Sequence, residues 1–377
     1  MTGPRYTPLV AALPETVPFV GPEELERRRG VPFAARLGAN ENGFGPVPAA
    51  VSAMSRALGE VWKYGDATSF HLRATLAQEH RCEIDNIVVG EGIDGLLGIL
   101  VRLLIGAGDK VVTSLGAYPT FNYHVAGCGG VVETVPYLED HEDPKALFAK
   151  AREVDAKLVY LANPDNPMGS WHPGAAIAAA LEDLPEGCLL ILDEAYVECA
   201  PAGTAAPISA DDPRVIRMRT FSKAYGMAGL RIGYAVGHMN LIRAFDKLRN
   251  HFGVNLLAQT AAQAAVQDRK GLSTRVKEIA TAREQISTIA RDNKLMPLPS
   301  ATNFVTIDCG FDGEFAKRVM DGLFELGCFV RMPFAAPQNR CIRVSCGPAD
   351  ELETFSQLLP IALKHAMGST GRAKGEP

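Results

Sequence analysis

With 377 residues, 47% of them hydrophobic and 21% charged, the chain has an ordinary globular composition. It exceeds the size at which one core keeps growing, so a large domain with a smaller companion is expected. The net charge of -5 offers no basic face for nucleic acid, and no run approaches the ~18 uncharged apolar residues of a membrane-spanning helix. The eight cysteines are scattered with no CxxC pair, and the first twenty residues are broken by Pro4, Pro8, Pro14 and Pro18, unlike a signal peptide. A cytoplasmic protein with reduced thiols and no metal site is expected.

Residues 1–36 read as an arm that packs on the small domain or a partner subunit, with a helix at Pro22–Arg29 whose acidic-to-basic order suits its dipole. The stretch LGANENGFGP, residues 37–46, is too rich in glycine and asparagine for a regular element. Helices are expected over Val47–Leu58 and Ser69–Cys82, with Tyr64-Gly65-Asp66 between them. From Asn86 the chain alternates. Seven short β-branched runs, at 87–90, 110–114, 131–135, 157–161, 188–192, 214–218 and 232–236, are separated by helix-like or connecting segments. Runs apolar on both faces and joined by crossovers indicate a buried, mostly parallel seven-stranded sheet flanked by helices. Asp143 before Pro144 should cap one of those helices. Ligands of such sheets sit at the carboxyl ends of the strands, where the polar motifs of this chain fall.

The large domain is expected to span residues 37–255. Helical stretches at Leu241–His251, Leu256–Asp268 and Leu272–Asn293 lead into strands NFVTID, CFVR and CIRVS and helices Gly313–Leu326 and Ala349–Met367. That is a second, smaller α/β domain over residues 256–366, and the polar residues 367–377 read as a frayed end.

The chemistry centres on TFSKAYGMAGLRIGY, residues 220–234. Lys223 is preceded by Ser222 and followed by a glycine-broken turn and Arg231. Together with Asn166, Asp193 and Tyr196, which precede it in order, it supplies partners for the aldehyde, pyridine nitrogen, ring hydroxyl and phosphate of pyridoxal 5'-phosphate (PLP). Lys223 would bind the aldehyde covalently and, once freed, move the substrate's α-proton. Asp193 ends an apolar strand at its carboxyl edge, and a carboxylate there keeps the ring nitrogen protonated. Tyr196 and Asn166 can reach the ring hydroxyl. The amides of Gly92, Ile93 and Asp94 open a helix suited to the phosphate, with Ser222 and the forked guanidinium of Arg231 completing the cup. One aromatic of YPTFNY, residues 118–123, would stack on the ring, and Phe121 is the choice.

Taken in order, ANENGFGP, YGD, GEGIDG, YPTFNY, NPDNPMG, DEAY, SKAYGMAGLRIGY, NFV and IRVS resemble the class I/II aminotransferases of PLP fold type I, nearest the histidinol-phosphate aminotransferase group, over about residues 37–345. The resemblance implies a homodimer with sites at the interface and Tyr64 reaching the partner's cofactor phosphate. It places Phe121 at the ring-stacking position and Arg343, helped by Arg331, on the substrate's carboxylate or phosphate. Asn42 of ANENGFGP falls among the substrate contacts. The chain departs from the group's pattern at YGD, where YPD is usual, and at GEGIDG, which lacks an acidic residue after its aspartate. It departs again at MPFAAPQNRC, which lacks a tyrosine-glycine loop beside the substrate.

The function expected is transfer of an amino group from a histidinol phosphate-like donor to a 2-oxo acid such as 2-oxoglutarate. Aromatic amino acids are the alternative donors. A PLP-dependent decarboxylase on the same scaffold is a further reading, separable by its products. A non-catalytic descendant is disfavoured because Lys223 and Asp193 are both present.

Overall fold

The computed structural model describes residues 3–15 and 19–370. Each of the seven apolar runs becomes a strand: β1 (Ile87–Gly90), β2 (Lys110–Ser114), β3 (Val131–Val135), β4 (Leu158–Ala162), β5 (Leu189–Asp193), β6 (Val215–Thr220) and β7 (Gly233–Gly237). They form one sheet in the order β1-β7-β6-β5-β4-β2-β3. Every pair is parallel except those made by β7, which runs against both β1 and β6.

The central strands are buried along their whole length, because successive side chains enter two different cores. Leu158, Tyr160 and Ala162 of β4 pack under the helix Gly92–Leu104, while Val159 and Leu161 join Phe148 and Leu192 on the other face. The expected cap is present, with the Asp143 carboxylate accepting the N–H groups of Lys145 and Ala146 at 3.0 and 3.2 Å. In register, Ala162 lies opposite Asp193 and Asp193 opposite Met218. The loops after β4, β5 and β6 therefore leave one edge side by side.

The stretch at 241–251 forms less helix than its periodicity predicts. A short helix, Met239–Ala244, tightens into a 3-10 turn at Phe245–Lys247, and Arg249 turns back to donate to the Ala67 carbonyl at 2.8 Å. The helix Leu256–Gln267 packs Ala258, Ala261 and Ala265 against Ala50, Leu76 and Phe221 of the large domain.

The smaller domain has an antiparallel sheet, β10-β9-β8, of β8 (Met296–Pro297), β9 (Phe304–Asp308) and β10 (Cys341–Ser345). The CFVR strand takes a different partner. Cys328–Phe329 pairs in parallel with Ala35–Arg36, and the Leu37 N–H extends the ladder to the Phe329 carbonyl at 2.8 Å. The end of the arm is thus stitched to the small domain, whose core of Ile286, Ile307 and Phe355 also takes in Ala35 and Leu37. Just beyond that strand, Arg331 and Arg343 exchange backbone hydrogen bonds of 3.2 and 2.6 Å.

A second link joins the domains. The Arg340 guanidinium forks onto Asp140 of the large domain at 2.6 and 3.2 Å and holds Asp308 at 2.7 Å.

Candidate active site

Lys223 lies in the tight loop between β6 and β7. The loop is fixed at Gly226, where φ is +72° and a Cβ would come within 2.3 Å of the Gly45 carbonyl oxygen, so only glycine lets the two backbones meet. Two asparagines of ANENGFGP hold the lysine. Asn42 donates its amide protons to the backbone carbonyls of Lys223 and Ala224, each at 3.1 Å. Both bonds tie its side chain to the backbone of the lysine loop.

Asn40 holds the other end. Its carbonyl accepts Lys223 Nζ at 3.0 Å and Asn303 Nδ2 at 3.0 Å, and its amide donates to the Tyr196 hydroxyl at 3.1 Å. Its Oδ1 accepts the Ser345 hydroxyl at 3.0 Å. Asn40 has φ +54°, a left-handed conformation that asparagine tolerates better than most residues. Burial, followed by the nearby Arg343 charge, pushes the Lys223 amine down to about 8. The ammonium also sits 5.5 Å from the centre of the Tyr196 ring.

Asp193 closes β5 with 5% exposure. Its Oδ1 accepts the Ala195 N–H at 2.9 Å and its Oδ2 the Tyr160 hydroxyl at 2.6 Å. Burial raises the carboxyl to about 6 against these two bonds. Phe121 lies behind, stacked on Tyr160 with ring centroids 5.1 Å apart and planes at 15°. It has no exposed surface. The half-buried aromatic of that motif is Tyr118, within electrostatic reach of Asp94, Asp193 and Arg231.

Gly92 opens the helix Gly92–Leu104 with φ +79°, and a Cβ there would stand 2.8 Å from an Arg231 terminal nitrogen. The same guanidinium reaches Ser222 Oγ at 3.5 Å and the Ala228 carbonyl at 3.0 Å. Backbone donors, a hydroxyl and a forked cation thus converge where a helix begins, the donor set that a phosphate group requires. The Asp94 carboxylate points elsewhere, bonded to His124 at 2.8 Å.

Arg343, on β10, donates to Asn166 Oδ1 and to the Gly38 carbonyl, and its buried Nε has no partner among the described residues. Burial lowers its guanidinium to about 10, the mark of a cation short of an anion. Beside it, Arg331 donates to the Val20 carbonyl at 2.7 Å and lies 5.8 Å from the Phe19 ring. Phe19 stacks in turn on Tyr118, at 6.0 Å and 25°. Tyr64 is separate from this cluster in the described contacts, 79% exposed and packed on Phe252 at 4.9 Å.

The structure thus gathers Lys223, Asp193, Tyr196, Asn166, Ser222, Arg231, the Gly92 turn and Arg343 at one sheet edge. Three participants escaped the sequence reading. Asn40 lay inside a quoted motif without a φ to single it out, Tyr160 reads as one more core residue of an apolar strand, and Phe19 sits in a proline-punctuated arm with no periodicity.

Residues 35–359 match the family of class I and II aminotransferases. The chain belongs to that family. Among relatives of this aminotransferase, histidinol-phosphate aminotransferase 1 of Nitrosococcus oceani is 35% identical over 345 residues, covering 91% of this chain and 92% of the relative. The histidinol-phosphate aminotransferase of Moorella thermoacetica is 31% identical over 362 residues, covering 95% and 93%. The crystal structure of histidinol-phosphate aminotransferase from Sinorhizobium meliloti in complex with PLP superposes with a TM-score of 0.93 at 51% identity, covering 96% of this chain and 98% of that one. The aminotransferase described here is a PLP-dependent enzyme of fold type I. Its described residues include no helix long and apolar enough to cross a membrane.

Proposed function

We propose that the enzyme transfers the amino group of histidinol phosphate, or a donor of closely similar shape, to a 2-oxo acid such as 2-oxoglutarate. The observation that carries this reading is the pairing of Arg343 and Arg331 across one backbone ladder, with the Phe19–Tyr118 stack alongside. Such a site offers an anion receptor next to a flat apolar wall, and histidinol phosphate has an anionic end and a planar ring. The similarity to named histidinol-phosphate aminotransferases supports the same donor. The ring wall equally favours an aromatic amino acid, whose carboxylate Arg343 would grip, and this is the second reading.

PLP, when bound, supplies an aldehyde and an electron-accepting ring. Lys223 would carry it. The residue's lowered basicity leaves a large share of the amine neutral near pH 8, as a group that must pick up the donor's α-proton requires. Asp193 would meet the ring nitrogen, while Tyr196 and Asn166 flank the ring hydroxyl. Ser222, Arg231 and the amides of Gly92, Ile93 and Asp94 would take the phosphate, joined by Tyr64 of a second copy in a homodimer. Asn42 acts through the Lys223 backbone. A cytoplasmic setting fits the eight unpaired cysteines, six of them buried.

The test presents purified enzyme with one donor at a time and follows the visible absorption of its bound cofactor. Histidinol phosphate should convert the spectrum at the lowest concentration, and product analysis should find a ketone with no carbon dioxide. Conversion by phenylalanine or tyrosine at lower concentration would favour the second reading, and release of carbon dioxide would remove both.

A further inference from the structure

We infer that Tyr160 is a positioning residue for the reaction, its hydroxyl holding Asp193 so that the proton between carboxylate and cofactor stays on the ring nitrogen. The inference rests on the Asp193 pairing proposed above.

Tyr160 lies on β4, next to the strand that ends in Asp193, and has no exposed surface. Its hydroxyl donates to Asp193 Oδ2 at 2.6 Å, the length of a charge-assisted bond. The ring is backed by Phe121, nearly parallel at 5.1 Å, which keeps the hydroxyl aimed at one acceptor. Among the described residues no other side chain donates to Asp193, whose second oxygen takes the Ala195 N–H at 2.9 Å. The charged groups within its reach are Lys223, from the loop after β6, and Glu194, whose side chain turns away to Arg219 at 2.8 Å. Tyr118 and Tyr196 also lie within electrostatic reach of Asp193.

When a carboxylate and a pyridine nitrogen share one proton, its position follows their relative basicity. Burial makes the Asp193 carboxylate a stronger base and draws the proton toward it, leaving the ring a poor electron acceptor. A hydroxyl donated to the carboxylate has the reverse effect. Tyr160 therefore offsets the burial that surrounds Asp193 and keeps the ring charged, without touching cofactor or substrate.

The first measurement uses cofactor-free protein. Nuclear magnetic resonance of carbon-labelled aspartate, with Asp193 assigned through Asp193→Asn, follows the carboxyl through a pH titration. In Tyr160→Phe the midpoint should rise by about one pH unit or more, the effect of losing a bond to a charged group. Fluorotyrosine at position 160, a more acidic donor, should move it down, and this variant carries the test if the phenylalanine protein does not fold. A midpoint unmoved by either change overturns the inference.

The second measurement uses the loaded enzyme with nitrogen-labelled cofactor. In Tyr160→Phe the ring-nitrogen signal should move toward its unprotonated position, and kcat should fall roughly 10- to 100-fold, the effect of one such bond, with a smaller change in KM. If the carboxyl midpoint shifts but the ring nitrogen responds to neither Tyr160→Phe nor Asp193→Asn, the Asp193 pairing is what fails.

Discussion

Asp193 and Lys223 are each buried at a cost to stability, and the signs of their shifts say where. Asp193 rises from 3.8 to about 6 in the folded protein, so between those values the unfolded chain is ionised while the folded one still holds its proton. The contribution of Asp193 to the stability of the cofactor-free protein should therefore fall as pH rises from about 4 to about 6 and stay lower above. Lys223 falls from 10.5 to about 8, so the unfolded chain holds the extra proton between those values and stability should recover as pH rises through them. The two contributions add to a trough between about pH 6 and 8, read as the difference in urea midpoint between the wild type and the Asp193→Asn and Lys223→Ala variants from pH 4 to 10. Asp193→Asn should lift the cofactor-free protein out of its share of the trough, by at most roughly 3 kcal/mol at pH 7, while cutting turnover at least ~100-fold. Lys223→Ala should abolish both turnover and the visible absorption of bound cofactor. These two residues were legible because their chemistry is carried by residue type at a strand end and in a glycine-broken turn. Tyr160 and Asn40 were not. Their parts depend on one hydroxyl direction and one left-handed backbone, which residue identity does not display.

Among the elements, the seven-stranded sheet was readable from its apolar runs because parallel strands buried on both faces leave an unmistakable composition. Partners of two-residue strands were not readable. Cys328–Phe329 has the same apolar, aromatic character whether it joins β9 or Ala35–Arg36, and only the spatial return of the arm decides. Phe121 shows a similar limit, since an aromatic after a strand suits the core and the site alike, and here its ring backs Tyr160. The loop carrying Lys223 makes the sharpest demand. Gly226→Ala would force a methyl into the Gly45 carbonyl at a positive φ, and it should destabilise the enzyme by roughly 2 kcal/mol or more and weaken cofactor retention. Equilibrium unfolding and dialysis against cofactor-free buffer check the two effects.

At the scale of the whole molecule, one of the contacts between the two domains is the fork of Arg340 onto Asp140, a geometry that suits arginine. Arg340→Lys loses the fork onto Asp140 and the bond to Asp308, so it should raise KM for the donor about 3- to 10-fold with kcat less affected, and Asp140→Asn should add little on top. Steady-state kinetics of the two single variants and the double variant test this coupling. The exposed Tyr64, with Phe252 beside it, suits contact with a second copy. Tyr64→Ala should weaken cofactor affinity in proportion to the fraction of dimer, read by fluorescence titration at several protein concentrations.

Lys223, Arg231, Arg331 and Arg343 share one edge of a protein whose net charge is -5. An anion near the entrance is attracted by these groups over about the 10 Å that 0.1 M salt permits. Inorganic phosphate or sulfate should therefore act as a competitor of the donor, and rates taken in such buffers would understate activity on the phosphorylated donor proposed above.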